Sequence, residues 1–414
     1  MYYDVIVVGG GASGLMCAGI AAGRGLSVLL LEKMALPARK LRISGKGRCN
    51  LTNILPKERF MEHIGPDARF LHNAFGVFFA QELIDFFEGL GVKTLVEQGG
   101  RVFPESGKAI EVVDVLTAWV KKSGVIINSN APVVKIITDN DIAGGVVTAA
   151  KKQYAAGAVV VATGGLSYPA TGSTGDGYRF ARLAGHTVFP LRPMLVPLIS
   201  SDFFISELNG LHLKNICITV AVDGTKKYSI FGEMEFRDNT LAGPVILSLS
   251  RKFIDEIIAG KKVVFYFDLK PGLDQEKLNA RLLRDLNTLG KAGYHELLRG
   301  LLPGQLIPVF QKLLAVDGAK KCSQITADER KLLVSLLKEF PVNINAHRDY
   351  NEAIITGGGV STKEVNPKTL ESKIVKNLFF TGEVLNLDAD TGGYNLQIAF
   401  STGYLAGISI QKKE

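Results

Sequence analysis

The stretch RISGKGRCNLTN, residues 42–53, sets Ser44, Lys46, Arg48, Cys49, Asn50 and Thr52 among glycines and contains no acid. Cations, hydroxyls and amides on such a backbone suit a phosphate cradle, an RNA-contacting loop, a reactive-cysteine site or a plain polar turn. A second pattern lies upstream, where Gly9, Gly11 and Gly14 form GxGxxG. The first glycine permits a tight turn. The second lets the backbone approach a pyrophosphate, and the third lets a helix pack against a sheet. The N-terminus of that helix offers free N–H groups and partial positive charge to the phosphates. Glu32 ends the next apolar run, 18 residues beyond Gly14. A carboxylate there accepts hydrogen bonds from ribose hydroxyls and repels a 2′-phosphate, which disfavours NADP at this site. The plainer alternative is a glycine turn followed by a solvated glutamate.

These residues need a frame, and the sequence supplies one. Residues 3–8 and SVLLLEK (27–33) read as buried strands around an Ala/Gly-rich helix that runs to about Gly25. Near-continuous apolar strands of this kind belong to parallel sheets. Residues 79–90 and 109–123 have helical spacing, with Gly91 and Gly124 placed as stops. VIINS, VVKII and GAVVVATGG read as strands, and 175–185 as a further helix. From about 191 to 270 short alternating segments such as ICITVAV and KVVFYFDL predict a β-rich unit, and 274–340 has helical spacing. The Gly-rich α/β texture returns after about 350. The expected organisation is a discontinuous domain of residues 1–190 and 346–414. It is interrupted by a β-rich insertion over 191–270 plus about 341–345, and by a helical subdomain over 271–340.

The chain has 414 residues and a formal net charge of +8, with 47% apolar and 21% charged residues. A basic balance suits anionic cofactors, acidic substrates, nucleic acid or a solvated surface. Cys17, Cys49, Cys217 and Cys322 form no CxxC pair, which argues against a dithiol redox centre and a cysteine zinc site. The six histidines, His63, His72, His186, His212, His295 and His347, show no metal spacing and read as structural. No metal site is expected. Separated cysteines predict a reduced, cytoplasmic protein, and no apolar run reaches the roughly 20 residues of a membrane helix.

GGGASG, LLLEK and ARKLRISGKGRCNLTN together resemble the BaiN/YhiN-type (RdsA-like) family of FAD-dependent oxidoreductases. GRVFPESGKA (100–109), VVVATGGLSYPATGSTGDGY (159–178), GEMEF…LAGPVIL (232–247) and LFFTGEVLNLDADTGGYNLQIAFSTG (378–403) extend the resemblance along the chain. It implies an α/β fold: a Rossmann-like, glutathione-reductase-type FAD-binding domain interrupted by a β-barrel-like domain and a helical subdomain. It also implies cofactor contacts. Gly9, Gly11, Ala12, Ser13 and Gly14 are expected around the pyrophosphate, with Glu32 and Lys33 at the adenosine ribose and the Val134 backbone at adenine. Lys40, Ser44, Gly45, Arg48, Cys49 and Asn50 are expected along the ribityl chain. Thr163 and Gly164 belong near adenosine, Gly382 and Glu383 near the ribityl phosphate. Gly393, Tyr394, Asn395 and Leu396 would begin a helix at the flavin pyrimidine edge. The chain departs from the family in FRDNTLAGP, where Arg237, Asp238 and Ala242 replace the family's usual residue types.

The resemblance further implies hydride transfer to a carbon–carbon double bond. A small enone-like molecule is the expected substrate. The alternatives are uridine in ribosomal RNA, reduced to dihydrouridine, and a flavoprotein without turnover. Basic pairs such as Lys226–Lys227, Lys261–Lys262 and Lys320–Lys321 suit RNA, yet no RNA-binding module is present. Arg48, Cys49 and Tyr394 are the candidate catalytic residues. Arg48 reads as a charge stabiliser, Cys49 as a proton donor or a small buried neighbour, and Tyr394 as a donor or a packing residue. Tyr168 is a further candidate donor. NAD(P)H is the expected electron donor. GGGVST at 357–362 lacks the last glycine of a second fingerprint, so a nicotinamide cofactor would bind without its own Rossmann domain.

Overall fold

The computed structural model describes residues 2–412. They form two compact units, one reaching to Met194 and resuming at Tyr350, the other spanning Leu195–Asp349.

In the first unit, β1 (Tyr2–Val8), α1 (Ala12–Gly23) and β2 (Val28–Leu31) form the expected strand–helix–strand start. Val5, Ile6 and Val7 are fully buried, as strands covered on both faces must be. Parallel pairing carries the sheet from Ile126–Asn128 through β2 and β1 to Gln153–Val161. The last strand then divides its far edge. Its first half pairs antiparallel with Ile142–Thr148, and its last three residues pair in parallel with Leu378–Phe380. Four turns therefore leave the carboxyl ends of neighbouring parallel strands: those after Val8, Leu31, Val161 and Phe380. Open α/β sheets bind ligands at such ends.

Two helices fix α1 from behind. A Cβ on Gly19 would collide with the indole of Trp119 in the helix Ala109–Lys122. A Cβ on Gly403 would collide with the Ser13 backbone, so glycine alone lets the C-terminal helix Tyr394–Ser409 lie against α1. The Arg24 guanidinium donates to the carbonyls of Gly407 and Ile410, closing the end of that helix.

His186 is 4% exposed, pairs through Nε2 with Ser372 Oγ at 2.8 Å, and meets the Phe380 ring edge-on. Burial, opposed by the charge of Glu364, lowers its pKa from the ordinary 6.5. The unfolded chain then binds the proton more tightly. The contribution of His186 to stability is complete above about pH 6.5 and is lost as pH falls toward the lower folded value. His186→Leu should therefore reduce the difference in urea midpoint between pH 7.5 and pH 5.5. An unchanged difference would assign the acid sensitivity to other groups.

In the second unit, seven antiparallel strands follow the order Phe340–Ile344, Val263–Asp268, His212–Val222, Thr225–Arg237, Thr240–Ala242, Leu198–Ile199, Ala346–His347. The pairings among the described residues form an open path. The helices Gln275–Leu289, Leu306–Leu314 and Ala327–Lys338 bury Leu278, Leu282, Phe310 and Leu337 in the same core as Phe265 and Phe267 of the sheet. The segment expected to be β-rich also holds a 15-residue helix, Pro244–Ile258, with proline in its first turn. The FRDNTLA segment holds a hairpin turn. Asp238 and Asn239 both have positive φ and join Arg237 to its partner Thr240. This is a two-residue hairpin turn that Asp and Asn tolerate.

Candidate functional site

The four turns border a groove lined wholly by the first unit. Gly9, Gly11, Ala12 and Ser13 form one wall. Gly9 has φ +104°, and a Cβ there would lie 2.6 Å from the Ala162 carbonyl oxygen. This glycine lets two strand ends approach each other. Gly14 does not line the groove; a Cβ there would run into the Gly9 carbonyl oxygen. Gly11 is the opposite case, because a Cβ there would meet no protein atom within 4 Å. It caps α1, whose first N–H groups have no partner within the helix.

Glu32 is 9% exposed and accepts 2.8 Å hydrogen bonds from Gly10 N and Met34 N, one on each carboxylate oxygen. Each oxygen keeps acceptor capacity for the groove it lines. Beside it, Lys33 is held by Asp176 at 2.7 Å and by Thr174. Thr163 lines the opposite wall with Gly164, and its Oγ1 is buried without a hydrogen-bond partner. The Val134 carbonyl accepts from Arg179 at 2.9 Å, and the neighbouring Val133 and Ala131 line the groove.

Further along, Lys40 Nζ meets Glu383 Oε2 at 2.7 Å and Ser167 Oγ at 2.5 Å. The other Glu383 oxygen accepts from Thr356 N at 2.8 Å and from Ser167 Oγ at 3.1 Å. Gly382 has φ +73° and turns its α-carbon toward Ser13. Its N–H donates to Thr402 Oγ1. Ser44, Asn395 and Leu396 also line the groove.

Gly45, Arg48, Cys49 and Asn50 brace this wall without lining it. The Arg48 guanidinium pairs with Glu97 and lies 4.3 Å from the centre of the Phe103 ring. Cys49 is fully buried in a left-handed backbone conformation, and burial pushes its thiol up to about 12. With nitrogen facing carbonyls, the Asn50 amide donates to Val102 O and Thr52 O and accepts from Gly393 N at 3.1 Å. The loop is thereby tied to the start of the C-terminal helix. Tyr394 is 4% exposed and packs on Phe60, and burial raises its hydroxyl to about 12. Tyr168 stands outside the groove lining in a left-handed conformation.

Ser167, Thr356 and Asp176 are not among the residues that the sequence points to. Asp176 and Ser167 lie in the 159–178 motif, but nothing local signals their partners. The His63–Asp390 pair was also missed. Its Nδ1 and Oδ2 are 3.0 Å apart across 327 residues of chain.

The profile of the family described as "HI0933-like protein Rossmann domain" matches residues 3–409. The chain is 30% identical over 404 residues to a 3-dehydro-bile acid delta(4,6)-reductase of Clostridium scindens, covering 97% of each chain. It is 29% identical over 410 residues to a ribosomal RNA dihydrouridine synthase of Escherichia coli, covering 97% of this chain and 96% of that one. Among solved structures, a 3-ketosteroid-delta4-(5alpha)-dehydrogenase from Rhodococcus jostii RHA1 aligns with a TM-score of 0.54 at 16% identity, over 99% of this chain and 96% of the other. That likeness extends to the fold.

Proposed function

The chain belongs to the HI0933-like Rossmann-domain family, and on that footing we propose that it binds FAD and reduces a carbon–carbon double bond conjugated to a carbonyl. The observation that carries the cofactor reading is the groove itself. An open Gly11 at a helix N-terminus and a buried carboxylate at the end of β2 are a dinucleotide's complement. These donors and acceptors fit FAD: the first turn of α1 would take the pyrophosphate and Glu32 the adenosine ribose. Bound FAD would supply two-electron hydride chemistry. Lys40, ion-paired with Glu383 and bonded to Ser167, lines the groove where the extended arm would run. Ser44 and Asn395 add polar groups to the lining. The N-terminus of the helix Tyr394–Ser409 carries partial positive charge, which would favour the negative charge that an isoalloxazine beside it gains on reduction.

The substrate reading rests on the relatives. A 3-oxo compound unsaturated at positions 4 and 6, and a uracil ring, share an alkene activated by a carbonyl. We favour the small enone, with NAD(P)H as electron donor. Ribosomal RNA is the second reading, supported by the Escherichia coli relative and the +8 net charge. Deleting the gene and mapping dihydrouridine in ribosomal RNA separates the two. An unchanged map together with NAD(P)H-dependent reduction of 3-oxo-4-ene compounds is expected. Loss of a dihydrouridine site, restored by the gene, would replace the enone with RNA.

A further inference from the structure

His63 and Asp390 form a pair beside the groove. His63 Nδ1 is 3.0 Å from Asp390 Oδ2, and Asp390 N donates to the His63 carbonyl at 2.9 Å. Gly65 N donates to the Asp388 carbonyl, and Ile64 bridges Ala389, so the two loops are bound along their backbones. The imidazole stacks on Tyr394, with ring centres 4.4 Å apart and planes 18° apart. The side chain of Asn395 holds both carbonyls of Ala389 and Asp390. Asp390 thus lies between two groove-lining stretches, Leu387 on one side and Asn395–Leu396 on the other. Its carboxylate is 17% exposed and the His63 side chain 38%. Among the described residues no hydrogen bond engages Nε2.

A carboxylate that fixes one imidazole nitrogen while the other stays free is the arrangement of a positioned acid–base group. The alternatives nearby are weaker acids. Burial raises both the Cys49 thiol and the Tyr394 hydroxyl to about 12, and Arg48 stays charged.

We propose that His63, held by Asp390, is the proton donor of the reduction. This rests on the reductase reading above. The alkene would take at its β-carbon the hydride that bound, reduced FAD supplies, leaving that flavin oxidised. It takes the Nε2 proton of the imidazolium at its α-carbon. Two C–H bonds replace the π bond, and the neutral ring keeps its Nδ1 proton on Asp390. The half-exposed ring regains its Nε2 proton from water.

The test uses FAD-loaded protein photoreduced anaerobically with EDTA as electron donor and mixed with 2-cyclohexenone. His63→Gln should slow flavin reoxidation at least about 100-fold with FAD content and the reduced spectrum unchanged. Asp390→Asn, a positioning change, should slow it less. A His63→Gln rate within threefold of wild type overturns the proposal. A wild-type flavin that the enone cannot reoxidise counts against the reductase reading instead. A measurement without turnover then decides on His63. Nitrogen NMR should place the proton of the neutral ring on Nδ1 and show it moving to Nε2 in Asp390→Asn. A wild-type ring protonated on Nε2 overturns the proposal.

Discussion

Gly14→Ala should fold with a much lower urea midpoint, whereas Gly11→Ala should keep the wild-type midpoint and hold FAD more weakly. The two glycines stand three residues apart in one motif and do different work. A Cβ on Gly14 would collide with the carbonyl oxygen of Gly9, which is backbone and cannot rotate away. Either α1 lifts from the sheet or the Gly9 turn opens, and that turn already meets Ala162. The expected loss is on the order of 3 kcal/mol, at the upper end for one added methyl. At Gly11 the methyl meets no protein atom and enters the groove. Stability should change by less than about 0.5 kcal/mol, and FAD affinity should fall at least about tenfold, equivalent to 1.4 kcal/mol. Urea denaturation of the FAD-free proteins reads the first effect and fluorescence titration with FAD the second. A Gly14→Ala protein with the wild-type midpoint would contradict the packing argument. A Gly11→Ala protein with wild-type affinity would remove the pyrophosphate from this turn.

Glu32→Ala is expected to cost both stability and cofactor. The carboxylate accepts from the buried Gly10 N–H and from Met34 N. Removing it strands a buried donor, at about 1–3 kcal/mol. The adenosine ribose would lose its acceptor as well, so FAD affinity should fall about 10- to 100-fold, or 1.4–2.7 kcal/mol. Glu32→Gln separates the terms, since an amide oxygen can still accept from Gly10 N while its nitrogen faces Met34 N–H. It should recover much of the stability and little of the affinity. If Glu32→Ala retained FAD as the wild type does, the ribose assignment would fall.

Local chemistry made the frame readable. The apolar runs 3–8 and 157–161 are parallel strands because both faces are covered, and such strands read as continuous hydrophobic text. Gly91 and Gly124 end the helices Ala80–Gly89 and Ala109–Lys122 with positive φ, as their positions suggest. The helix Pro244–Ile258 was legible in principle. Its buried Val245, Ile246, Leu249, Phe253, Ile254 and Ile257 follow helical spacing behind Gly243 and Pro244. The strands on either side set the texture of that segment and hid it. What stayed illegible is tertiary. Lys40 meets Glu383 and Asn50 meets Gly393 across more than three hundred residues. His63 becomes more than a surface histidine only when the fold brings Asp390 to it. The loop 42–53 divides in the same way: Ser44 lines the groove, while Arg48 and Cys49 are engaged in holding it.

Flavin content tests most directly whether FAD occupies the groove of the first unit. Protein purified without added flavin should be yellow and release about one FAD per chain on denaturation, as one groove holding one dinucleotide requires. Protein that is colourless, and remains so after incubation with excess FAD and removal of the unbound flavin, would contradict it.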